Sequence, residues 1–225
     1  MERPSVRSYS IRGSRITDAQ RQAKTALQAV HGIAFKQELI DLTAIFPNSD
    51  SIIMEIGFGM GEATAIIAKN HPNNGYIAVD VHPPGIGKLL ARIVENDLTN
   101  LKVIEDDVHV VMQHMIPDNS LDGIHLYFPD PWPKKKHNKR RLVQAEFMEQ
   151  LRPKLAIGGS VHMATDWEPY AAHMMAVMSA LPDYRNSAGA GQYAGVTDRP
   201  LTKFENRGLR LGHGVWDVVF RRTAA

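Results

Sequence analysis

The run Ile52-Ile53-Met54-Glu55-Ile56-Gly57-Phe58-Gly59-Met60-Gly61 constrains the fold of this chain more than any other stretch. A short apolar segment gives way to glycine at every second position. Residues 62–69 then show helix-forming composition with apolar spacing. The pattern predicts a buried strand, a tight turn and a helix. Glycines at 57, 59 and 61 let the backbone turn and let a ligand come close, and the following helix points its positive end at that ligand. Such a turn belongs at the carboxyl edge of a parallel sheet. A glycine loop without a ligand is the plain alternative, and the carboxylate of Glu55 inside the turn argues against it.

The rest of the chain alternates. Strands are predicted over 76–81, 101–105, 121–128 and 160–164, and helices over 87–96, 108–115, 142–151 and 168–181. Alternation of this kind gives an α/β fold with a parallel sheet and right-handed crossovers. A last strand over 215–220 follows glycines rather than a helix, so it is expected to pair antiparallel. Upstream, Thr17 and Gln20 form a capping box that opens a helix over 18–30. Residues 35–46 have helical spacing but end at Pro47 and stay ambiguous. Residues 1–16 carry Arg3, Arg7, Arg12 and Arg15 and read as a flexible basic arm, with a solvated tail equally open; 17–225 read as one domain.

The 225 residues suffice for one α/β domain with a sizeable core. No cysteine is present, which excludes a disulfide framework and a thiolate metal site and fits the cytoplasm. No apolar run is long enough to span a bilayer, and the N-terminus lacks the apolar core of a signal peptide. A net charge of +2 makes local patches more informative than the total. His109, His114, His125, His162 and His173 are scattered without metal spacing, so no metal is expected.

A dinucleotide fingerprint, G-x-G-x-x-G, offers helix amides to a pyrophosphate. Here the pattern is E-x-G-x-G-x-G, and Glu55 would repel a pyrophosphate but suit a cation. The other predicted strand ends carry Asp80, Asp106 and Asp107, Asp130 and Asp166. Asp107 is also a natural helix N-cap, and Asp80 is placed to grip ribose hydroxyls. Five acidic strand ends around one crevice favour a cationic ligand with many donors, such as S-adenosylmethionine, over a phosphate-rich one.

Residues 126–141, LYFPDPWPKKKHNKRR, form the second distinctive stretch. Pro129, Pro131 and Pro133 stiffen a loop and aim Asp130 and Trp132. Lys134, Lys135, Lys136, Lys139, Arg140 and Arg141 follow. An aromatic beside a basic run suits a base and its phosphates. A solvated helix start is the alternative, but cations are disfavoured there. The third stretch, Thr202-Lys203-Phe204-Glu205-Asn206-Arg207, lies in a segment, 186–214, without clear periodicity. Long loops of this kind are usually functional or disordered.

The chain resembles the bacterial tRNA (guanine-N7)-methyltransferases. The resemblance runs in order over nearly the whole chain. It rests on Arg7-Ser8-Tyr9 with the following Arg12, Gly13, Arg15 and Thr17, on EIGFGMGE (55–62), VDVHPPGIG (79–87), FPDPWPKKKHNKRR (128–141), ATDWEPYA (164–171) and TKFENRG (202–208). It implies a Rossmann-like class I methyltransferase fold, a mostly parallel sheet with helices on both faces. The implied activity is methyl transfer from S-adenosylmethionine to N7 of a guanosine in the tRNA variable loop. By motif match, Glu55, Gly57, Gly59, Gly61, Asp80, Asp107 and Asp130 fall on cofactor positions, with Asp130 also the catalytic one. Lys134, Asp166, Thr202, Lys203, Phe204 and Glu205 fall on substrate positions, and Lys136, His137, Asn138, Lys139, Arg140 and Arg141 on the RNA-contacting segment. Asp80 departs from the pattern, since many members carry Glu there. Another S-adenosylmethionine-dependent RNA methyltransferase, an NAD(P)-dependent oxidoreductase and a non-catalytic RNA-binding subunit are the rival readings. The oligomeric state, monomer or homodimer, stays open.

Overall fold

The computed structural model describes residues 8–9, 16–195, 199–200 and 214–224. In chain order the elements are α1 (Asp18–His31), α2 (Leu42–Ile45), β1 (Ser51–Ile56), α3 (Glu62–Asn70), β2 (Asn74–Asp80), α4 (Pro83–Glu95), β3 (Leu101–Glu105), α5 (Val108–His114) and β4 (Leu121–Tyr127). A 3-10 helix (Lys135–Arg140) follows, then α6 (Ala145–Leu151), β5 (Leu155–Thr165), α7 (Glu168–Ser179), β6 (Tyr184–Asn186) and β7 (Trp216–Arg222).

One seven-stranded sheet runs β3-β2-β1-β4-β5-β7-β6. Pairing is parallel from β3 through β5, while β7 is antiparallel to both β5 and β6. The order reverses beside β1, which puts the glycine turn at the switch point, where ligands bind in open sheets of this kind.

Alternation along the strands sorts the core into two layers. Met54, Ile56, Ile77, Val79, Ile104, Ile124, Leu126, Val161 and Met163 pack on one face with α5, α6 and α7. Tyr76, Ala78, Leu101 and Val103 pack on the other with α3 and α4. Glu55 pairs in register with Ala78 and His125 and shares their face. Helix α1 lies across α4 at Gly87, where an added Cβ would sit 2.2 Å from the Gln20 carbonyl oxygen. Both bonds of the Thr17/Gln20 capping box are present, at 2.9 and 3.3 Å.

Several boundaries differ from the sequence reading. Helix α4 starts at Pro83 rather than at 87, because proline is favoured in the first turn of a helix and Pro83-Pro84 opens this one. Residues 142–144 stay outside α6 because the chain first makes the 3-10 turn. Strand β5 begins five residues earlier than 160, with a register shift against β4 between Leu121 and Gly123. The three-residue β6 is too short to show a period.

Candidate functional site

The turn after β1 takes left-handed backbone at Gly57 (φ 76°), Gly59 (φ 58°) and Gly61 (φ 69°), which side chains disfavour. The three have different neighbours. A Cβ built on Gly57 or Gly59 meets nothing within 4 Å, whereas one on Gly61 would lie 2.7 Å from Leu89 Cδ1. Gly61 is therefore a packing glycine and stands outside the cavity, while Gly57 and Gly59 border open space. Gly85 completes the turn: its Cβ would lie 1.9 Å from the Gly59 carbonyl oxygen, so only glycine lets α4 support the loop.

A cavity of about 300 Å³ opens above these glycines. Its lining includes Gly57, Gly59, Asp80, His82, Asp106, Asp107, Phe128, Asp130 and, from the N-terminal arm, Ser8 and Tyr9. Asp80 is held by two turns: Oδ2 accepts from Gly59 N of the glycine turn (2.9 Å), and Oδ1 accepts from Val81 N (2.7 Å) and His82 N (3.0 Å) of its own. Burial raises its pKa and these amides oppose the rise. Asp107 caps α5, accepting from His109 N at 2.9 Å, and lines the cavity as well. Asp106 accepts from Asp107 N at 2.7 Å.

Glu55 and Asp166 stand apart from this group. Glu55 is 5% exposed and lies beneath the turn rather than in the cavity wall. Burial pushes its carboxyl up to about 7, with Asp80 adding to the rise. The Thr64 hydroxyl lies close enough to lower that value, yet it falls short of full hydrogen-bond geometry. Asp166, exposed at the end of β5, is not in the lining either.

The loop after β4 is built under backbone strain. Phe128 (φ 50°) and Trp132 (φ 43°) both adopt left-handed backbone, a feature that clusters at functional sites. Phe128 N donates to Ala164 O at 2.8 Å, Arg141 Nε to Pro131 O at 2.9 Å, and Trp132 Nε1 to Ser8 O at 3.0 Å. The Asn138 amide, oriented with its nitrogen toward the loop, donates to Trp132 O and Lys134 O. Asp130, between two prolines, is exposed and accepts no hydrogen bond from the described residues.

The basic run does not act as one surface. Lys134, Lys135, Lys136 and Lys139 are exposed. Arg140 stacks on Trp132, with Cζ 3.9 Å from the ring centroid, and His137 packs edge-on to the same ring. Arg141 turns inward, 5% exposed, with its guanidinium 4.9 Å from the Tyr170 ring. Expected on the RNA-contacting segment, Arg141 here braces the loop, because Pro131 O and the Tyr170 face take up the guanidinium. Asn138 likewise serves the loop. The predicted substrate residues Thr202, Lys203, Phe204 and Glu205 lie outside the described residues. Sequence reasoning missed Ser8, Tyr9, His82 and Phe128 as cavity residues. All four sit inside three of the runs that carry the family resemblance.

A family model described as "Putative methyltransferase" matches residues 49–218. A tRNA (guanine-N(7)-)-methyltransferase of Nitrosospira multiformis is 51% identical, covering 96% of this chain and 94% of that protein. Those of Hydrogenovibrio crunogenus and Neisseria meningitidis serogroup A are 50% and 51% identical, covering 96% and 97% of this chain and 91% of each relative. The chain belongs to the tRNA (guanine-N7)-methyltransferase family. Among solved structures, the antibiotic-resistance methyltransferase Kmr aligns with a TM-score of 0.58 at 16% identity, covering 86% of this chain and 95% of that one. The 16S rRNA methyltransferase KamB gives 0.56 at 15%, covering 83% and 95%. At such identity these two establish the fold alone, a class I methyltransferase sheet. The donor set fits the methyl donor of that fold: aspartates to accept from hydroxyls and amines, and open space beside two glycines.

Proposed function

We infer that the protein transfers a methyl group from S-adenosylmethionine to N7 of a guanosine in tRNA, in the variable loop. One observation supports this most directly: in a chain of this family, the cavity at the switch point is lined by Asp80, Asp106, Asp107 and Asp130 beside Gly57 and Gly59. Four carboxylates suit a ligand bearing a sulfonium and an ammonium and would repel a pyrophosphate, which disfavours a nicotinamide cofactor.

S-adenosylmethionine, when bound, supplies an electrophilic methyl group. Asp80, already oriented by three backbone amides, accepts from ribose hydroxyls. Asp107 offers an acceptor from the start of α5, and Glu55 lies below the turn to balance positive charge. Guanine N7 holds its lone pair in the ring plane at neutral pH, so no residue needs to take a proton before transfer. The main work left to the chain is alignment. Asp130 accepts from the guanine N1–H and amino group, selects guanine over adenine, and complements the positive charge that develops on the base. Lys134, Lys136 and Lys139 meet phosphates, and Asp166 and residues 202–205 complete the substrate side.

The test is mass spectrometry of nucleosides from unmodified tRNA incubated with the protein and S-adenosylmethionine. The expected product is 7-methylguanosine from the variable loop. A methyl group on any other atom, or none, would overturn the reading.

A further inference from the structure

We propose that Asp217 is a positioning residue for methyl transfer, acting through Arg199. It anchors Arg199 against the Phe128 wall of the cavity and so steadies the strained loop that carries Asp130. The proposal rests on the methyltransferase reading above.

Asp217 sits on β7, beside the β5 register of Ala164. Its two oxygens receive a bidentate fork from Arg199: Nε to Oδ1 at 2.8 Å and Nη2 to Oδ2 at 2.9 Å. The side chains are 6% and 10% exposed. The fork occupies two guanidinium nitrogens, and Arg199 Cζ lies 5.2 Å from the Phe128 ring centroid. Arg199 is thus placed as an anchor rather than as a phosphate receptor.

A second donor meets the same Oδ1 that Arg199 Nε reaches. His162 Nε2 lies 2.6 Å from Asp217 Oδ1, and His162 Nδ1 lies 3.1 Å from the Tyr127 hydroxyl. The acceptor Asp217 assigns the proton to Nε2, so Nδ1 accepts and the Tyr127 hydroxyl donates. Burial keeps that phenol neutral by raising its pKa. Tyr127 is the last residue of β4 and immediately precedes strained Phe128. The chain of bonds from Tyr127 through His162 and Asp217 to Arg199 therefore ties β5, β7 and Arg199 to the strained loop that carries Asp130.

Buried ion pairs contribute little net stability because desolvation offsets their attraction. What a bidentate fork supplies is direction. The residues of this network lie outside the cavity lining, except that the fork ends over Phe128. Its effect should therefore fall on the RNA side more than on the cofactor.

The experiment compares the parent, Arg199→Lys, Asp217→Asn and the double variant. The measurements are tRNA kcat/KM at saturating S-adenosylmethionine, S-adenosylhomocysteine affinity, and melting temperature. Lysine keeps the charge but cannot form the fork. Each single variant should lose about tenfold in tRNA kcat/KM, with S-adenosylhomocysteine affinity within about twofold of the parent. The double variant should be no worse than the worse single one, because both break the same link. Unchanged kcat/KM in Arg199→Lys overturns the proposal. So do additive losses, or a parallel loss of cofactor affinity. If Asp217→Asn fails to fold, Arg199→Lys decides alone. A parent that forms no 7-methylguanosine instead removes the methyltransferase reading, and this proposal with it.

Discussion

Glu55→Gln offers a sharp electrostatic test of the turn. The carboxyl is 5% exposed and its pKa rises from 4.5 to about 7, chiefly by burial. A folded-state pKa above the unfolded one means that the folded protein binds the proton more tightly. Relative to a permanently neutral glutamine, Glu55 then costs nothing well below pH 4.5. The cost grows as pH rises through the window from 4.5 to about 7 and is complete above it. Each pKa unit is worth about 1.4 kcal/mol, so linkage makes the ligand-free parent less stable than Glu55→Gln by about 1 kcal/mol at pH 5 and about 3 kcal/mol at pH 8. Urea denaturation of both proteins at pH 5, 6, 7 and 8 measures this difference, and changes common to both proteins cancel. A stability difference that stays flat with pH, or shrinks as pH rises, would refute the reasoning. Cofactor binding provides the complementary readout. If a cationic ligand favours the ionised carboxyl, binding at pH 6 should release about one proton in the parent and none in Glu55→Gln, measured by calorimetry in buffers of different ionisation enthalpy. Equal proton release in the two proteins would make Glu55 a residue of the fold alone.

Asp130→Asn removes a charge and turns amide donors toward guanine donors. It should lower single-turnover methyl transfer by about a hundredfold, with melting temperature and cofactor affinity near the parent, and a parental rate would move the role to Asp166 or Glu205. Replacing Lys134, Lys136 and Lys139 by alanine should flatten the slope of log tRNA affinity against log salt by roughly one per lost phosphate contact; an identical slope would mean that these lysines only face solvent. Gly85→Ala drives a Cβ against the Gly59 carbonyl oxygen, so melting temperature and cofactor affinity should fall together, by about 1–3 kcal/mol in stability. An unchanged melting temperature would show that α4 can shift to admit the methyl group.

The parts of the fold that show in the sequence are those with a repeating local signal. Strand β1 and its glycines, the capping box of α1 and the antiparallel β7 all match their patterns closely. Long-range pairings carry no such signal. The Trp132 indole meets Ser8 across 124 positions of chain, so nothing near either residue announces that Ser8 and Tyr9 line the cavity. The basic run misleads for a related reason. Six cations in a row look equivalent, but Trp132 takes one aromatic contact with Arg140 and Tyr170, on α7, takes another with Arg141. Only the tertiary fold supplies the second ring. Glycine is equally ambiguous in one dimension: Gly57, Gly59 and Gly61 alternate evenly, yet only Gly61 is pressed against a core leucine.

The same limit applies to the strand-end acids, and it bears on mechanism. Asp80 is fixed by three amides, Gly59 of the glycine turn and Val81 and His82 of its own turn, and Asp107 receives one from the helix it caps. Both are rigid acceptors, suited to a ligand that returns in the same pose at every turnover. Asp130 is positioned differently: two prolines restrict its backbone, while no described residue donates to its carboxylate. A carboxylate held by backbone alone keeps its full acceptor capacity for a substrate that arrives from outside. Glu55 is buried and has no cavity-facing surface. Three carboxylates of one chemistry thus differ in local hydrogen bonding: Asp80 and Asp107 are preset by backbone amides, while Asp130 takes no hydrogen bond from the described residues.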